Sequence, residues 1–309
     1  MTTGVALVAG EALIDLIPAA DGALHPHLGG GPFNVARTIA RLEQPVAFLG
    51  ALSHDSFGRD LRSALTCDGV DTTAACDTTL PTTLAIAEIG EDGNASYRFY
   101  VTRTSAADVT PTSALARIPA NVAALHIGTL GLVLEPLGAA VEAVVRAVPS
   151  STLVFLDPNC RPGLIDDPSG YRARLLSLSR RADVLKVSLD DIAWLEPSLD
   201  PVSAARRMLG DDGPRVVLVT LGAKGCIVLT RTGVETVAAP ATEVVDTIGA
   251  GDAFGGGFIA WWQERQLPSS SLGSRDLVLE AARYATRVAS LTCVRAGADP
   301  PRLAELLEP

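Results

Sequence analysis

The spacing of apolar positions changes along this chain. Short apolar runs rich in β-branched residues lie at Ala123–Ile127, Leu153–Leu156, Val184–Val187, Val216–Thr220 and Cys226–Thr230. Between them, at Leu137–Ala147, Tyr171–Ser179 and Val202–Leu209, apolar residues recur every three or four positions. The first pattern predicts strands and the second helices. Their alternation predicts an α/β fold with a mostly parallel sheet and helices on both faces. Nearer the N-terminus, Val5–Ile17 reads as a strand interrupted at Gly10, and Val46–Leu49 as a second strand. Pro32–Leu42 reads as a helix with an apolar stripe of Val35, Ala36, Ile39, Ala40 and Leu42; Pro32 suits its first turn and Pro45 follows its end. Asp60–Thr66 is a further helical segment.

Two β-prone runs, Thr82–Ile89 and Ala95–Val101, flank Glu91–Asn94 and predict a hairpin. A hairpin does not fit the alternating scheme, so it is expected as a small β element projecting from the α/β body. No repeat or low-complexity tract breaks the chain, and residues 1–309 are expected to form one domain. Pro268–Gly273 reads as a surface loop.

The chemistry concentrates in Asp246–Phe258, DTIGAGDAFGGGF. Thr242–Val245 reads as a strand leading in and Ala253–Trp262 as a buried helix leading out. Gly249 and Gly251 leave the backbone of the turn open, so its N–H groups can approach an anion closely. Asp252 falls in the first helical turn, where it is either a base beside an anion-binding helix start or an ordinary N-cap. The run is not a P-loop, lacking the Lys-Ser/Thr ending, and its glycine spacing is not the dinucleotide fingerprint. Ligands of open parallel sheets bind beyond the carboxyl ends of the strands. Polar or glycine clusters stand at four such ends: Asp157–Arg161, Lys186 with Ser188, Thr220–Gly225, and Asp246–Asp252. Lys186 and Lys224 read as rim charges, and Trp261 and Trp262 as core or interface.

Composition narrows the field. The 309 residues are 48% hydrophobic and 19% charged, enough for a large α/β core. A net charge of −10 opposes a nucleic-acid or anionic-membrane partner, leaving room for a local basic pocket. The N-terminus lacks the basic start of a secretory signal, and no apolar run is long enough to span a bilayer, so a cytoplasmic location is expected. Five cysteines with no CxxC read as free thiols in a reducing compartment. His25 and His27 would share one strand face, but no further metal ligand lies nearby in sequence.

Two motifs carry a family resemblance over nearly the whole length. Gly29–Leu42, GGGPFNVARTIARL, resembles the N-terminal glycine motif and helix of the PfkB, or ribokinase-like, carbohydrate kinases, and Asp246–Phe254 resembles their DTxGAGD motif. DPNCR, LKVSLDD and VTLGAKG support the match between them. Gly10–Ile17 (GEALIDLI), DPNCRPGLI and CVRAGA look most like bacterial fructokinases. The resemblance implies a ribokinase-like fold with a small β-sheet lid, at about 11–28 and 82–106, which in this family often pairs two subunits. It implies phosphoryl transfer from ATP to a sugar hydroxyl, with Asp252 as base and Gly249, Ala250 and Gly251 as the anion hole. Asp15, Gly30, Gly31 and Asn34 match its sugar-contacting positions. Thr220, Gly222 and Gly225 match its nucleotide rim, and Thr286 stands at its adenine-side Asn. Ser188 and Asp191 replace the family's Asn and Glu, linked there to Mg²⁺ and phosphate. Arg161 suits a clamp on phosphate or sugar. The family often binds K⁺, and Asp246 and the Ile248 backbone match its positions, with Arg295, Gly297 and Pro301 in the accompanying C-terminal loop.

Fructose is the first expectation for the sugar. In 2-keto-3-deoxygluconate kinases a lid-side Tyr and Arg meet the substrate carboxylate. Tyr100 and Arg103 stand for them here, with Arg103 one residue out of the expected spacing. Ribose and nucleosides are further alternatives. A catalytically silent sugar or nucleotide sensor on the same fold is the rival from another class; loss of Asp252 or the glycines would favour it, and both are intact.

Overall fold

The computed structural model describes residues 4–18, 22–89, 95–210 and 212–307. The strands are β1 (Val5–Ala9), β2 (Leu13–Pro18), β3 (Leu24–Gly29), β4 (Val46–Leu49), β5 (Ala51–Ser53), β6 (Cys76–Thr78), β7 (Leu84–Ile89), β8 (Ala95–Tyr100), β9 (Val122–Gly128), β10 (Leu153–Asp157), β11 (Val184–Ser188), β12 (Val216–Thr220), β13 (Cys226–Thr230) and β14 (Gly233–Val237). The helices are α1 (Gly31–Arg41), α2 (Ser56–Asp68), α3 (Pro111–Leu115), α4 (Leu137–Ala147), α5 (Pro168–Ser179), α6 (Leu189–Leu195), α7 (Pro201–Leu209), α8 (Ala250–Glu264), α9 (Arg275–Thr292) and α10 (Leu303–Leu307).

Eight strands form the main sheet in the order β14-β13-β12-β11-β10-β9-β1-β4. Pairing is parallel from β4 through β12 and antiparallel at β12–β13 and β13–β14. The central strands are apolar throughout because successive side chains face opposite, equally covered sides. On one side Val8, Phe48, Phe155 and Leu218 pack with α1, α8 and α9. On the other Leu7, Leu125, Val154 and Leu156 meet Val141 and Val144 of α4, Tyr171 of α5 and Ala204 of α7.

A second sheet, β3-β2-β7-β8, stands apart from the main one. It contains the expected hairpin as antiparallel β7 and β8, joined to β2 by a parallel pairing. The Glu91–Asn94 turn and residues 19–21 of the expected lid lie outside the described residues.

Two local expectations fail. Thr242–Val245 forms no strand; the segment runs in irregular backbone with Val244 52% and Val245 62% exposed. It is held instead by the N–H groups of Val245 and Asp246, which donate to the Cys293 carbonyl at 2.8 and 3.2 Å. β-propensity without a neighbouring strand or a surface to cover does not make a strand. Pro268–Gly273 is not a loose surface loop, because Ser269–Gly273 forms a 3₁₀ turn that buries Leu272.

Candidate active site

α8 begins at Ala250, with Gly249 as its N-cap residue at φ 75° and Asp252 at the third helical position. The N-cap position belongs to Gly249 and not to Asp252, which sets aside the N-cap reading of Asp252. Its Oδ2 instead accepts from Asn34 Nδ2 at 2.9 Å, across to α1. Gly249 is required on two counts. Its φ lies in the left-handed region, and an added Cβ would sit 2.6 Å from Ala298 Cβ. The tight turn sets the N–H groups of Gly249 and Gly251 at the positive end of a fifteen-residue helix, while the Ala250 N–H donates to the Thr247 carbonyl at 3.2 Å.

These groups open into a cavity of about 270 Å³. Its wall includes Asp15 from β2, Gly30, Gly31 and Asn34 around the start of α1, Arg161, and Gly249, Gly251 and Asp252. Drug-sized ligands take pockets of roughly 300–1,000 Å³, so this one suits a single small polar ring. A larger recess of about 610 Å³, bounded by Arg180, Arg215 and Thr230, opens at the far end of β12; none of the motif residues reaches it.

Three more polar residues belong to the cavity wall. Glu11, 2% exposed, accepts from Thr129 Oγ1 at 2.5 Å and from the Gly31 N–H at 3.3 Å through one carboxyl oxygen. Its other oxygen is buried without a partner. Thr129 holds a left-handed backbone (φ 48°), a strained conformation for a β-branched residue and of the kind that clusters at functional sites. Lys186, 3% exposed, pairs with Asp157 Oδ2 at 2.8 Å. It is therefore a buried charge, not the rim charge expected. A second acid beside Asp15 in the otherwise apolar Val5–Ile17 stretch, and a lone lysine inside an apolar strand, are the sequence signals for Glu11 and Lys186; Thr129 offers none.

Burial sets the electrostatics. It raises Glu11 to about 7 and Asp15 to about 6, with the Asp252 charge adding to both and Arg161 opposing. It raises Asp157 to about 6 against the pull of Lys186. Asp252 is likewise pushed above the ordinary carboxylate value by burial, although Asn34, Lys186 and Arg161 favour its charge. A helix start alone lowers an Asp pKa; here desolvation outweighs it, and the result is a stronger base.

Tyr100 and Arg103 lie away from this wall. Pairing in the second sheet puts Tyr97 and Phe99 on the cavity side and Tyr100, half-exposed, on the other, because side chains alternate along a strand. Arg103 lies beyond β8 and is exposed. Ser188 caps α6, and Asp191 accepts from its N–H and hydroxyl at 2.7 Å and from the Cys160 N–H at 2.6 Å. Thr220 ends β12, Gly222 and Gly225 bracket the following 3₁₀ turn, and Thr286 is buried in α9, donating to the Ala282 carbonyl at 2.7 Å. Asp246 accepts from the N–H groups of Ile248 at 3.0 Å and Gly297 at 2.8 Å, tying the glycine turn to the C-terminal loop. Among the described residues no cluster of three or more His, Cys, Asp or Glu forms a metal site, all five cysteines are free, and no helix is long and apolar enough to cross a membrane.

A glycine-turned helix start and a half-buried carboxylate, both facing a polar cavity at the carboxyl end of a parallel sheet, are what a group-transfer enzyme acting on a phosphorylated species needs. The chain belongs to the pfkB family of carbohydrate kinases, whose model matches residues 5–304. A fructokinase of Rhizobium leguminosarum bv. trifolii is 34% identical over 258 residues, 82% of this chain and 78% of that one. The crystal structure of a fructokinase from Vibrio cholerae O395, in fructose-, ADP- and calcium-bound form, superposes with a TM-score of 0.85 at 28% identity, covering 96% of this chain and 95% of that one. An aminoimidazole riboside kinase from Salmonella enterica, complexed with aminoimidazole riboside and an ATP analogue, gives 0.84 at 26% identity with 95% of both chains covered. The α/β fold with its mostly parallel sheet and small extra sheet is the ribokinase-like fold of these neighbours, and the chain is an ATP-dependent sugar kinase.

Proposed function

We propose that this kinase phosphorylates fructose, with Asp252 as the base on the accepting hydroxyl and the N–H groups at Gly249, Ala250 and Gly251 as the cradle for the moving phosphoryl group. The observation that carries the reading is Asp252 itself. It is half-buried at the helix start, held by Asn34, and faces the same cavity as Asp15. Phosphoryl transfer needs positioning and charge neutralisation more than covalent chemistry, and both are preformed here. Asp15, Gly30, Gly31 and Asn34 hold the sugar, and Arg161 bridges sugar and phosphate. The nucleotide lies along Ser188, Thr220, Gly222 and Gly225, with its adenine towards Thr286.

Mg²⁺ enters with ATP, bound to the phosphates, with Asp191 acting through water. K⁺ sits beside the Asp246–Ile248 turn, which Asp246 ties to the C-terminal loop by accepting from the N–H groups of Ile248 and Gly297. The second sheet closes over the sugar as a lid, excluding water that would otherwise take the phosphoryl group. Its location is the cytoplasm. Placement of Tyr100 on the outer face and of Arg103 in solvent weighs against 2-keto-3-deoxygluconate, whose carboxylate would need both.

An assay coupled to ADP release, over fructose, ribose, 2-keto-3-deoxygluconate, adenosine and fructose 1-phosphate, tests the reading. Fructose is expected to give the highest kcat/KM; a tenfold lead by another sugar reassigns the substrate, and turnover with none returns the silent-sensor alternative.

A further inference from the structure

Glu11 and Thr129 line the cavity and have no part in the reaction as described so far. Glu11 lies on the short connection by which the chain passes from β1 of the main sheet to β2 of the second sheet, and Thr129 follows β9. Both meet the start of α1. That helix has no side-chain cap of its own and no acid in its first turn. Glu11 supplies the acceptor from outside: its Oε1 takes the Gly31 N–H at 3.3 Å and the Thr129 hydroxyl at 2.5 Å.

Close packing surrounds this contact. A Cβ added at Gly10 would lie 2.4 Å from Pro32 Cγ, and one at Gly30 would lie 2.9 Å from the Glu11 carbonyl oxygen. One added at Gly31 would lie 2.7 Å from Thr129 Cγ2 and 3.3 Å from Asp252 Oδ1. Gly31 is therefore wedged between Thr129 and the base. Further round the same turn, Asn34 donates to the other oxygen of Asp252 at 2.9 Å, and its own N–H donates to the Gly30 carbonyl at 2.9 Å. Both oxygens of Asp252 thus face the first turn of α1, and the seat of that turn decides how the carboxylate is held. A helix cap alone is a poor account of the arrangement. Glu11 is buried with one oxygen lacking a partner, and Thr129 keeps a strained backbone at φ 48°. Each costs stability that an apolar contact would not, and such costs persist where geometry serves function.

We propose that Glu11 is a positioning residue, which with Thr129 fixes the start of α1 against Asp252 and so aims the base at the accepting hydroxyl of the sugar; this rests on the sugar-kinase reading above. Glu11 exchanges no proton in the step. Its Oε1 accepts whether or not the other oxygen carries a proton, so an amide can take its place.

The test reads kcat, the KM for ATP and Tm in a set of variants. Glu11→Met keeps the length of the side chain and removes the acceptor. Thr129→Val keeps the shape and removes the hydroxyl, and is the second variant should the first fail to fold. The expected result in each is a kcat lower by roughly 10–10²-fold, the cost of a small misplacement of a reacting group, with the KM for ATP within about threefold of wild type. Glu11→Gln is expected to restore most of the lost kcat. Because Glu11 acts through α1, adding Glu11→Met to Asn34→Ala should cost less than about threefold more, a non-additivity that independent sites do not show. A kcat close to wild type in folded Glu11→Met or Thr129→Val, with only Tm lowered, would mean that Glu11 is a cap and nothing more, and overturns the proposal. So does the full loss repeated in the Asn34→Ala background. Failure of the underlying reading looks different: wild type itself releases no ADP with any sugar, and the proposal falls with it.

Discussion

At the residue scale, the site is a set of acids whose burial works against their charge. Asp252 is the one expected to act. Asp252→Asn or Asp252→Ala should lower kcat by about 10²–10⁴-fold while leaving Tm near that of the wild type; near-normal turnover in either would remove it from the mechanism. Because its pKa is raised, kcat should fall as pH drops through that raised value. Glu11 makes a separate prediction. With a folded pKa of about 7 against an ordinary value of 4.5, the folded protein binds a proton there that the unfolded chain has already lost. Stability from this group is complete below the unfolded value and is lost as pH rises towards 7, by an amount on the order of 3 kcal/mol. Glu11→Gln should therefore match the wild type in Tm near pH 4.5 and exceed it above pH 7.5. A Tm difference independent of pH would show that Glu11 is ionised throughout.

At the element scale, α8 explains itself through its glycines. Gly255, Gly256 and Gly257 occupy a helix interior, where each weakens the helix by about 0.5–1 kcal/mol relative to Ala. Neighbouring helices come too close for a side chain at Gly256 and leave only tight room at Gly257. An added Cβ at Gly256 would lie 2.6 Å from Thr38 Cβ on α1, and one at Gly257 would lie 3.1 Å from Val288 on α9, whereas one at Gly255 would make an ordinary 3.4 Å contact with Phe155. Close packing of α1 on α8 also sets the Asn34–Asp252 bond. Gly256→Ala should thus cost about 1–3 kcal/mol by overpacking and lower kcat, while Gly255→Ala should be neutral or slightly stabilising. Thermal unfolding and kinetics on the pair check this; equal effects at both positions would mean that α1 and α8 yield freely.

At the scale of the whole molecule, the second sheet has one face on the cavity and another partly open. Register places Ile14, Leu16, Leu24, Pro26, Leu28, Leu84, Ile86 and Tyr100 on the outer face. The part nearer the body packs on the main core through Ile14, Leu28 and Leu84, leaving Leu24, Pro26, Ile86 and Tyr100 at the outer end. Arg98, opposite Ile86, shares that end, and this is the surface to test for the pairing of two copies that the family resemblance implies. Ile86→Glu should shift a dimer to monomer in analytical ultracentrifugation, whereas a monomeric wild type would dismiss the pairing. K⁺ dependence belongs to the same scale, because Asp246 joins the glycine turn to the C-terminal loop through Gly297. Activity should rise on replacing a large organic cation with K⁺, and equal activity in both would argue against that site.

Much of this was legible along the chain. Leu137–Ala147, Val216–Thr220 and Cys226–Thr230 form elements with the expected bounds, because local period and burial agree there. α9 carries an apolar stripe of Val278, Ala281, Ala282, Ala285 and Val288, which its spacing would have revealed; the strand expected at Thr242–Val245 had nothing to pair with. By itself the sequence determined the periodicity, the turn chemistry and the two glycine motifs, since these depend on residues close in the chain, and with them the fold class and the kind of reaction. Tertiary structure alone decided which charges are buried, that Glu11 and Lys186 face Asp252, and which side of the hairpin meets the cavity. Burial, proximity and desolvation are set by segments distant in sequence, and no local pattern encodes them.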